Sequence, residues 1–328
     1  MKREMFCLSQ GELHKKDDSL EFEMVSGEKF SIPIVQISII YMLSSVKISV
    51  DCLKLLGKYG ITVHYFDRYE YYVGTFLPKN TGNLNGDLLI KQVLAFTDIN
   101  ERIKLSKIII KACFKNMRRN IKYYSNRNDF EMTEIENVFE NNINKLECAS
   151  SINEIMLIEA SMHKIYYSFW NKILIFEKFT SRVQSGAMDI VNILITFINS
   201  LIYSLIVSEI YKTGLTPTIS FLHEPSQSRL SLSFDIAEIF RPLLVDRLVF
   251  FLINKKIVSQ SDVGENGLLT DEAVKKILYH WDKQINTTFY HRKLKRHITY
   301  RYLIREELYK LIRYLNNEEE YSGFVIWW

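Results

Sequence analysis

One stretch of the chain carries no charged residue over 19 consecutive positions, between Asp189 and Glu209. This length would suffice for a transmembrane helix. However, its polar members recur every three to four residues, as they do on one stripe of a helix. These members are Asn192, Thr196, Asn199, Ser200, Ser204 and Ser208. The stripe predicts a buried core helix of a soluble helical bundle rather than a membrane span.

The period of the apolar residues changes once, at a cluster of turn-forming residues between Pro78 and Gly86. Before the cluster, short β-branched and aromatic runs separated by turns predict strands, with one short helix starting near Val50 and ending by Gly60. After it, a period of three to four predicts helices. Because 328 residues exceed one typical core, we expect an α+β fold. A β-rich domain spans 1–82, and a larger all-helical domain spans 83–328.

Composition and charge narrow the class of protein. The chain is 47% hydrophobic, with 12 Gly and 5 Pro, which excludes disordered and collagen-like classes. Its four cysteines form no Cys-x-x-Cys pair, and no secretory signal is visible, so we expect a cytoplasmic protein without a disulfide framework. Residues 1–85 hold ten basic and ten acidic side chains, so the net charge of +4 belongs to the helical part.

Two basic runs without any acidic residue lie in that helical part. The first contains Lys104, Lys107, Lys111, Lys115, Arg118, Arg119, Lys122 and Arg127. The second contains Arg292, Lys293, Lys295, Arg296, Arg301 and Arg305, interleaved with Phe289, Tyr290, Tyr300 and Tyr302. Spacings of three or four place most of the first run on one helix face, where like charges repel unless an anion compensates them. DNA phosphates would do so; the alternative is two solvated surfaces.

Several ionisable residues stand where apolar residues are expected. Glu159 lies in an apolar helical run, where a carboxylate needs a cation or a partner such as His163. A loop rich in Gly and Pro presents His223, and Asp235 and Glu238 follow three residues apart on one helix face. Two carboxylates and an imidazole suit Mg²⁺ or Mn²⁺. The alternative is a capped helix with a loop histidine that binds no metal.

At these residues the sequence resembles CRISPR-associated protein one, the integrase and endonuclease family of spacer acquisition. The resemblance rests on the segment from Gly214 to His223, on the Glu159 helix, and on a third string of residues. That string consists of Asp235, Glu238, Phe240, Arg241, Pro242 and Asp246. The chain departs from the family at Thr216 and Ser220, where aspartate and glycine are common, and at Glu238, which is often aspartate.

The resemblance implies a metal-dependent DNA endonuclease and integrase of CRISPR adaptation, an antiviral defence. Its metal, Mg²⁺ or Mn²⁺, would be held by Glu159, His223 and Glu238, with Asp235 as a nearby ligand. The activity would join 3′ hydroxyl ends of spacer DNA to the CRISPR repeat by transesterification. The resemblance also implies a homodimer, which we expect to form through the β-rich domain, and a complex with the second adaptation protein.

DNA contacts are expected from basic residues of both runs and from Arg241. The residues concerned are Lys104, Lys107, Lys111, Lys115, Arg118, Arg119, Lys122, Arg241, Arg292, Lys293, Lys295 and Arg296. Two other functions fit the same residues: a DNA-binding structural subunit without catalysis, and a nuclease of repair or transposition on the same fold. The tail from Phe324 to Trp328 could dock a partner, but we expect it to pack on its own domain.

Overall fold

The structure is a computed structural model that describes residues 3–67, 69, 71–78, 85–128, 130–183, 186–226 and 230–327, without the side chains of residues 133 and 134. The chain forms two compact units, Met1–Leu84 and Asn85–Trp328. Of the predicted turn cluster, residues 79–84 lie outside the described ranges. Asn85, the next residue of the cluster, caps a helix, because its side chain accepts a hydrogen bond from the Leu88 amide at 3.2 Å.

The first unit is rich in strands, as the sequence predicts. Its elements are β1 (Arg3–Cys7), β2 (Gly11–Lys16), β3 (Ser19–Met24), β4 (Lys29–Pro33), β5 (Ile37–Met42), β6 (Val46–Ile48), α1 (Val50–Tyr59), β7 (Thr62–Phe66) and β8 (Tyr72–Phe76). One sheet has the order β1-β5-β7-β8 and the other β4-β3-β2-β6. Buried apolar side chains, among them Leu13, Ile40 and Leu56, form the core of this unit.

The second unit is mostly helical. Its helices are α2 (Gly86–Thr97), α3 (Ile99–Asn128), α4 (Thr133–Cys148), α5 (Ile152–Ser168), α6 (Ile190–Tyr211), α7 (Ser231–Arg241), α8 (Arg247–Asn254), α9 (Asp271–Asn286) and α10 (Tyr300–Leu315). An antiparallel hairpin of β9 (Thr288–His291) and β10 (Arg296–Thr299) corrects the prediction that this unit is all-helical. The hairpin follows a local period of two, since His291 and Ile298 are buried while Tyr290 and His297 are exposed.

Helix α6 is the uncharged stretch, and it lies in the core as predicted. It is the one helix of the described ranges that is long and apolar enough to cross a membrane, yet 78% of its most apolar window is buried within the protein. The polar stripe has partners inside the unit, because Arg182 donates hydrogen bonds to Asn192 at 3.0 Å and to Thr196 at 2.9 Å. Burial on all sides therefore explains the absence of charge.

The end of the chain, residues 321–327, forms an extended C-terminal strap on the second unit. Asn116 of α3 holds the strap at two points, donating to the Phe324 carbonyl at 3.0 Å and accepting from the Ile326 amide at 2.8 Å. The Phe324 ring stacks on Phe240 of α7, with centroids 5.8 Å apart. The strap therefore packs on its own domain, as expected, and it connects α3 with α7.

We predict that Gly323→Ala destabilises the second unit. A Cβ at this position would lie 2.5 Å from the Ala112 Cβ of α3, so strap and helix would have to separate. Overpacking of this kind costs about 1–3 kcal/mol. Scanning calorimetry should show a lower unfolding temperature for Gly323→Ala. The control Gly86→Ala, at a position with open space around it at the start of α2, should not lower the temperature; an equal decrease in both variants would contradict this account.

Candidate metal centre

Two carboxylates from different helices meet at one imidazole. The Nε2 atom of His163, on α5, lies 2.9 Å from an oxygen of Glu159 on the same helix and 3.2 Å from an oxygen of Glu238 on α7. The two glutamates are separated by a long stretch of sequence, so the packing of α5 near α7 creates this juxtaposition. Both were predicted as metal ligands, whereas His163 was considered only as the partner of Glu159.

Glu238 is buried yet ionised. Burial alone would raise the pKa of its carboxyl, but the charge of Arg241 and the hydrogen bond with His163 outweigh burial and hold the pKa well below its usual range. Arg241 donates to the second Glu238 oxygen at 2.5 Å. In His163, burial lowers the pKa, but Cys113, Glu159 and Glu238 raise it well above its ordinary value. The neighbouring carboxylates thus favour the charged form of His163, whose ring lies between them.

Cys113 of α3 completes a group of potential ligand atoms. Its Sγ, a ring nitrogen of His163 and an oxygen of Glu238 lie within 4.8 Å of one another. Burial raises the pKa of the Cys113 thiol to about 12. The protonated thiol acts as a weak hydrogen-bond donor to Glu238, at 3.8 Å.

The fully buried carboxylate of Asp235 organises the loop that carries His223. One oxygen accepts the amides of Phe221 at 2.6 Å and Leu222 at 3.0 Å. The other oxygen accepts the amide of His223 at 3.1 Å and bonds its Nδ1 at 2.8 Å. Four hydrogen bonds occupy most of the acceptor capacity of a carboxylate. Asp235 therefore anchors the loop, and its part as an additional metal ligand stays a prediction.

Three further side chains fix the same loop. Gln92 of α2 donates to the carbonyls of Thr216 at 2.9 Å and Ile219 at 2.7 Å. Arg102 of α3 donates to the Phe221 carbonyl at 2.8 Å. The hydroxyl of Ser220, where the family commonly has glycine, is buried and bonds the His223 carbonyl at 2.6 Å. The departure at Ser220 is thus accommodated by a hydrogen bond within the loop.

His223 is oriented as metal-binding histidines usually are. Because Nδ1 faces the Asp235 carboxylate, the other ring nitrogen, Nε2, is directed away from it and is available as a ligand. Burial lowers the pKa of His223, but Asp235, Glu238 and Glu159 together raise it above its ordinary value. The charges of both glutamates thus act on this ring. Two hard carboxylates and one oriented imidazole fit a divalent cation such as Mg²⁺ or Mn²⁺.

Arg241, predicted to contact DNA, faces the interior of this cluster. Besides its bond to Glu238, its positive charge acts on Tyr167 and Tyr203, whose pKa values burial raises. Arg241 is largely buried, with 18% of its side chain exposed. The geometry assigns it the role of holding Glu238 ionised and in place.

The remaining predicted DNA contacts differ in their surroundings. In the first basic run, Lys104, Lys107, Lys111 and Arg118 contact oxygens of the same chain. Lys115, Arg119 and Lys122 are exposed. In the second run, Arg292, Lys293, Lys295 and Arg296 are exposed at the turn of the β9-β10 hairpin. By contrast, Arg305 bonds the buried Glu209 at 2.6 Å and so belongs to the interior.

Sequence reasoning missed the central position of His163. The signal was present, because residues 159 and 163 are four apart and so share one face of a helix. What the sequence lacked was the contact with Glu238 across 75 positions. Cys113 gave no sequence signal of its own, since a buried cysteine on an apolar helix face is ordinary packing.

Comparison with known proteins places these residues in a family. The family described as "CRISPR associated protein Cas1" matches residues 5–283. A "CRISPR-associated endonuclease Cas1" of Fusobacterium nucleatum is 36% identical, over 100% of this chain and 98% of the relative. A "CRISPR-associated protein Cas1 1" of Methanobrevibacter ruminantium is 37% identical, over 100% of this chain and 99% of the relative.

Solved structures share the fold. A CAS1 protein from Thermotoga maritima superposes with a TM-score of 0.83 at 28% identity, covering 98% of this chain and 99% of its own. A structure titled "Casposase bound to integration product" has a TM-score of 0.85 at 22% identity, covering 98% of this chain and 93% of its own. The second likeness concerns the fold alone. The arrangement of a strand-rich unit before a helical one is thus shared over almost the whole chain.

We predict that His163→Ala increases the stabilisation that a divalent metal provides. Without the imidazolium, Glu159 and Glu238 repel each other, so the metal-free variant should unfold at a lower temperature than wild type. Added Mn²⁺ should then raise its unfolding temperature by more than it does for wild type. Differential scanning fluorimetry with and without Mn²⁺ at constant ionic strength measures both effects.

His14 provides a matched control. It also lies near two glutamates, Glu12 at 3.5 Å and Glu23 at 3.9 Å, but on the surface of the first unit. In His14→Ala, added Mn²⁺ should raise the unfolding temperature by as much as it does in wild type. A gain in His163→Ala no larger than that of the control would contradict the bridging role of His163.

Proposed function

Because the chain belongs to the Cas1 family of CRISPR-associated proteins, we propose that it is a divalent-metal-dependent DNA endonuclease and integrase of CRISPR adaptation. The observation that carries the proposal is that Glu159 and Glu238 both contact His163, and that the charges of both glutamates act on His223. The three proposed ligands come from α5, a loop and α7, and each contacts a partner side chain: Glu159 contacts His163, His223 contacts Asp235, and Glu238 contacts Arg241. Such preorganisation of ionised groups is typical of catalytic sites.

The ligand set supports a metal-assisted reaction at a phosphodiester. Glu159, Glu238 and the Nε2 atom of His223 would hold Mg²⁺ or Mn²⁺. When bound, the cation would supply Lewis-acid polarisation of a phosphoryl oxygen and neutralise developing negative charge. Glu159 and His223 are partly exposed, with 23% and 29% of their side chains accessible. A DNA phosphate can therefore reach the ligand set from the side of these two residues.

The protein contributes positioning. Asp235 fixes the ring of His223 and, through three backbone amides, the loop that presents it. Arg241 keeps Glu238 ionised, so this buried ligand is ready without prior loss of a proton. Groups held in one geometry before the substrate arrives lower the cost of reaching the transition state.

The proposed reaction exchanges one phosphodiester for another. The 3′ hydroxyl oxygen of the spacer DNA attacks a phosphorus atom of the repeat, and a new bond forms between them. The bond from that phosphorus to the 3′ oxygen of the neighbouring nucleotide breaks. The proton lost by the attacking hydroxyl balances the one gained by the released 3′ hydroxyl, so no external energy source is needed. If water attacks instead, the same site acts as an endonuclease.

We also propose the partners of this protein from its membership of the family. We expect a homodimer formed through residues 1–82 and a complex with the second adaptation protein, acting on double-stranded DNA of spacer precursor and repeat. A property of the first unit supports the dimer: β8 lies at the edge of its sheet, and Val73 on this strand is 66% exposed. An exposed apolar residue on an open edge strand favours contact with another chain.

We predict that wild type has twice the chain mass of 38.8 kDa in solution, and that Val73→Lys shifts it towards the monomer. A charge on the edge strand disfavours strand-to-strand association. Light scattering coupled to size exclusion measures the mass. Val25→Lys, at a more exposed apolar position of the same unit, is the control that should stay dimeric. A monomeric wild type, or a dimeric Val73→Lys, would refute this interface.

We predict that Glu159→Gln abolishes strand transfer and preserves DNA binding. Glutamine keeps the size of the side chain but removes the charge that would bind the metal. The assay follows a short duplex with free 3′ hydroxyl ends joining supercoiled plasmid, with Mn²⁺ or Mg²⁺ and with chelator, and with the second adaptation protein added. Loss of joined products should be at least about a hundredfold, the scale typical for removing a group that stabilises charge in the transition state.

The control is Glu265→Gln, an exposed glutamate away from the site, which should retain full strand transfer. Joined products that persist in chelator or in Glu159→Gln would overturn the metal-dependent proposal. Tight, salt-sensitive DNA binding by a wild-type protein that forms no product, with or without the partner, would instead favour a structural DNA-binding subunit.

A further inference from the structure

The basic face of α3 consists of two parts with different surroundings. Lys104, Lys107 and Lys111 occupy its first half, and Lys115, Arg119 and Lys122 occupy its second half. Each part carries three positive charges at helical spacings of three and four. The spacing in the sequence predicts one continuous basic face, whereas in the structure the two halves have different neighbours.

The first half is an ion-paired seam within the chain. Lys107 donates to the Glu147 carbonyl of α4 at 2.7 Å, and Lys111 pairs with the Glu147 carboxylate. Lys104 lies 3.2 Å from Glu320, just before the C-terminal strap. All three lysines are half-buried. Their charges are therefore already compensated by acidic or carbonyl oxygens of the protein.

The second half borders a cavity whose lining, among the described residues, contains no acidic side chain. Lys115, Arg119 and Lys122 are exposed, and their side chains have no ion pair with any side chain that the structure describes. Together with Arg118 and Val325 they line a cavity of about 390 Å³. Arg118 is engaged by Glu136 at 3.2 Å, on α4. Three uncompensated cations around one cavity repel one another and favour an anion between them.

The strap gives this cavity a fixed wall. Val325 lies between Phe324 and Ile326, whose backbone groups are both held by Asn116. An apolar wall beside a cationic rim suits a deoxyribose joined to a phosphate. One turn further along α3, Tyr123 is 37% exposed, with the guanidinium of Arg127 4.2 Å from the centre of its ring. Cations alternating with an aromatic ring along one face are typical of surfaces that follow a nucleic-acid strand.

The position of the cavity relative to the metal centre follows from α3 itself. On its buried side, Cys113 contacts Glu238, Asn116 donates to the Ile239 carbonyl at 2.8 Å, and Asn120 bonds the Pro242 carbonyl. The cavity lies on the exposed side of the same turns. The helix diameter of about 10–12 Å therefore separates it from α7. A phosphate in the cavity is not the reacting one; it belongs to DNA beside the reacting position.

We propose that Lys115, Arg119 and Lys122, with Val325 of the strap, form a binding subsite for the DNA phosphate backbone, and that Lys104, Lys107 and Lys111 form an internal seam that does not bind DNA. This inference rests on the proposed function, since it supposes a DNA substrate. It narrows the predicted DNA-contacting face of α3 to one half. The subsite holds DNA in register and contributes affinity rather than chemistry.

Two charge-matched triple variants test this division. One is Lys115→Gln, Arg119→Gln and Lys122→Gln; the other is Lys104→Gln, Lys107→Gln and Lys111→Gln. Each removes three positive charges from the same helix. Fluorescence anisotropy with a labelled duplex of arbitrary sequence gives the association constant at several salt concentrations. The slope of log K against log salt counts the phosphates neutralised, at about 0.9 per contact.

We call the variant with Lys115, Arg119 and Lys122 replaced the cavity triple, and the variant with Lys104, Lys107 and Lys111 replaced the seam triple. In the cavity triple, the magnitude of the slope should decrease by about 2 to 3, with a large loss of affinity at low salt. In the seam triple, the slope should stay at the wild-type value. The unfolding temperature provides an independent readout, because the two triples should change it in different directions. The seam triple loses partly exposed ion pairs, so its unfolding temperature should fall slightly, whereas the cavity triple loses only mutual repulsion and should unfold at the same or a higher temperature.

The possible outcomes separate this inference from the proposed function. Equal slope changes in the two triples would mean that only net charge matters and would overturn the subsite, as would a larger change in the seam triple or no change in either. In each of those cases, strand transfer by wild type would leave the proposed function standing. A wild-type protein with no salt-dependent DNA binding would refute the proposed function together with the subsite.

Discussion

The buried carboxylate of Asp235 is the interaction on which the candidate site depends. It accepts the amides of three consecutive residues, 221 to 223, and the Nδ1 of His223. A buried carboxylate is costly unless hydrogen bonds satisfy it, and here the loop supplies them. The loop in turn gains a conformation that it could not hold by itself. The same helix, α7, carries Glu238, so one short element places two of the three proposed ligands and fixes their relative orientation.

The fold was largely predictable, because its strongest signals are local. The uncharged stretch became the buried helix α6, and the change of apolar period separated a strand-rich unit from a helical one. Local patterns also explain the errors. Asn85 was counted in the cluster of turn-forming residues because Asn-Gly pairs favour turns, yet the same side-chain chemistry caps α2. The β9-β10 hairpin was missed because its strands have four residues each, which is too short to establish a period of two against helical surroundings.

The site was predictable in its residue types but not in its contacts. Glu159, His223 and Glu238 were identifiable as ionisable residues in apolar or loop settings and through resemblance to a family. Which partner each would take depends on packing between distant segments. His163 bridges two of them only because α5 approaches α7, and Asp235 anchors the loop only because three backbone amides turn towards it. The two halves of the basic face of α3 could not be told apart from the sequence for the same reason. The first half forms ion pairs with Glu147 and Glu320, which lie far along the chain.

The most direct test of the metal centre is anomalous scattering at the manganese edge from crystals grown with Mn²⁺ and a short DNA duplex. The account predicts a single strong peak within bonding distance of a Glu159 oxygen, a Glu238 oxygen and the Nε2 atom of His223, with the His163 ring displaced from between the glutamates. A peak at the Cys113, His163 and Glu238 group, or no peak near Glu159 and His223, would contradict it.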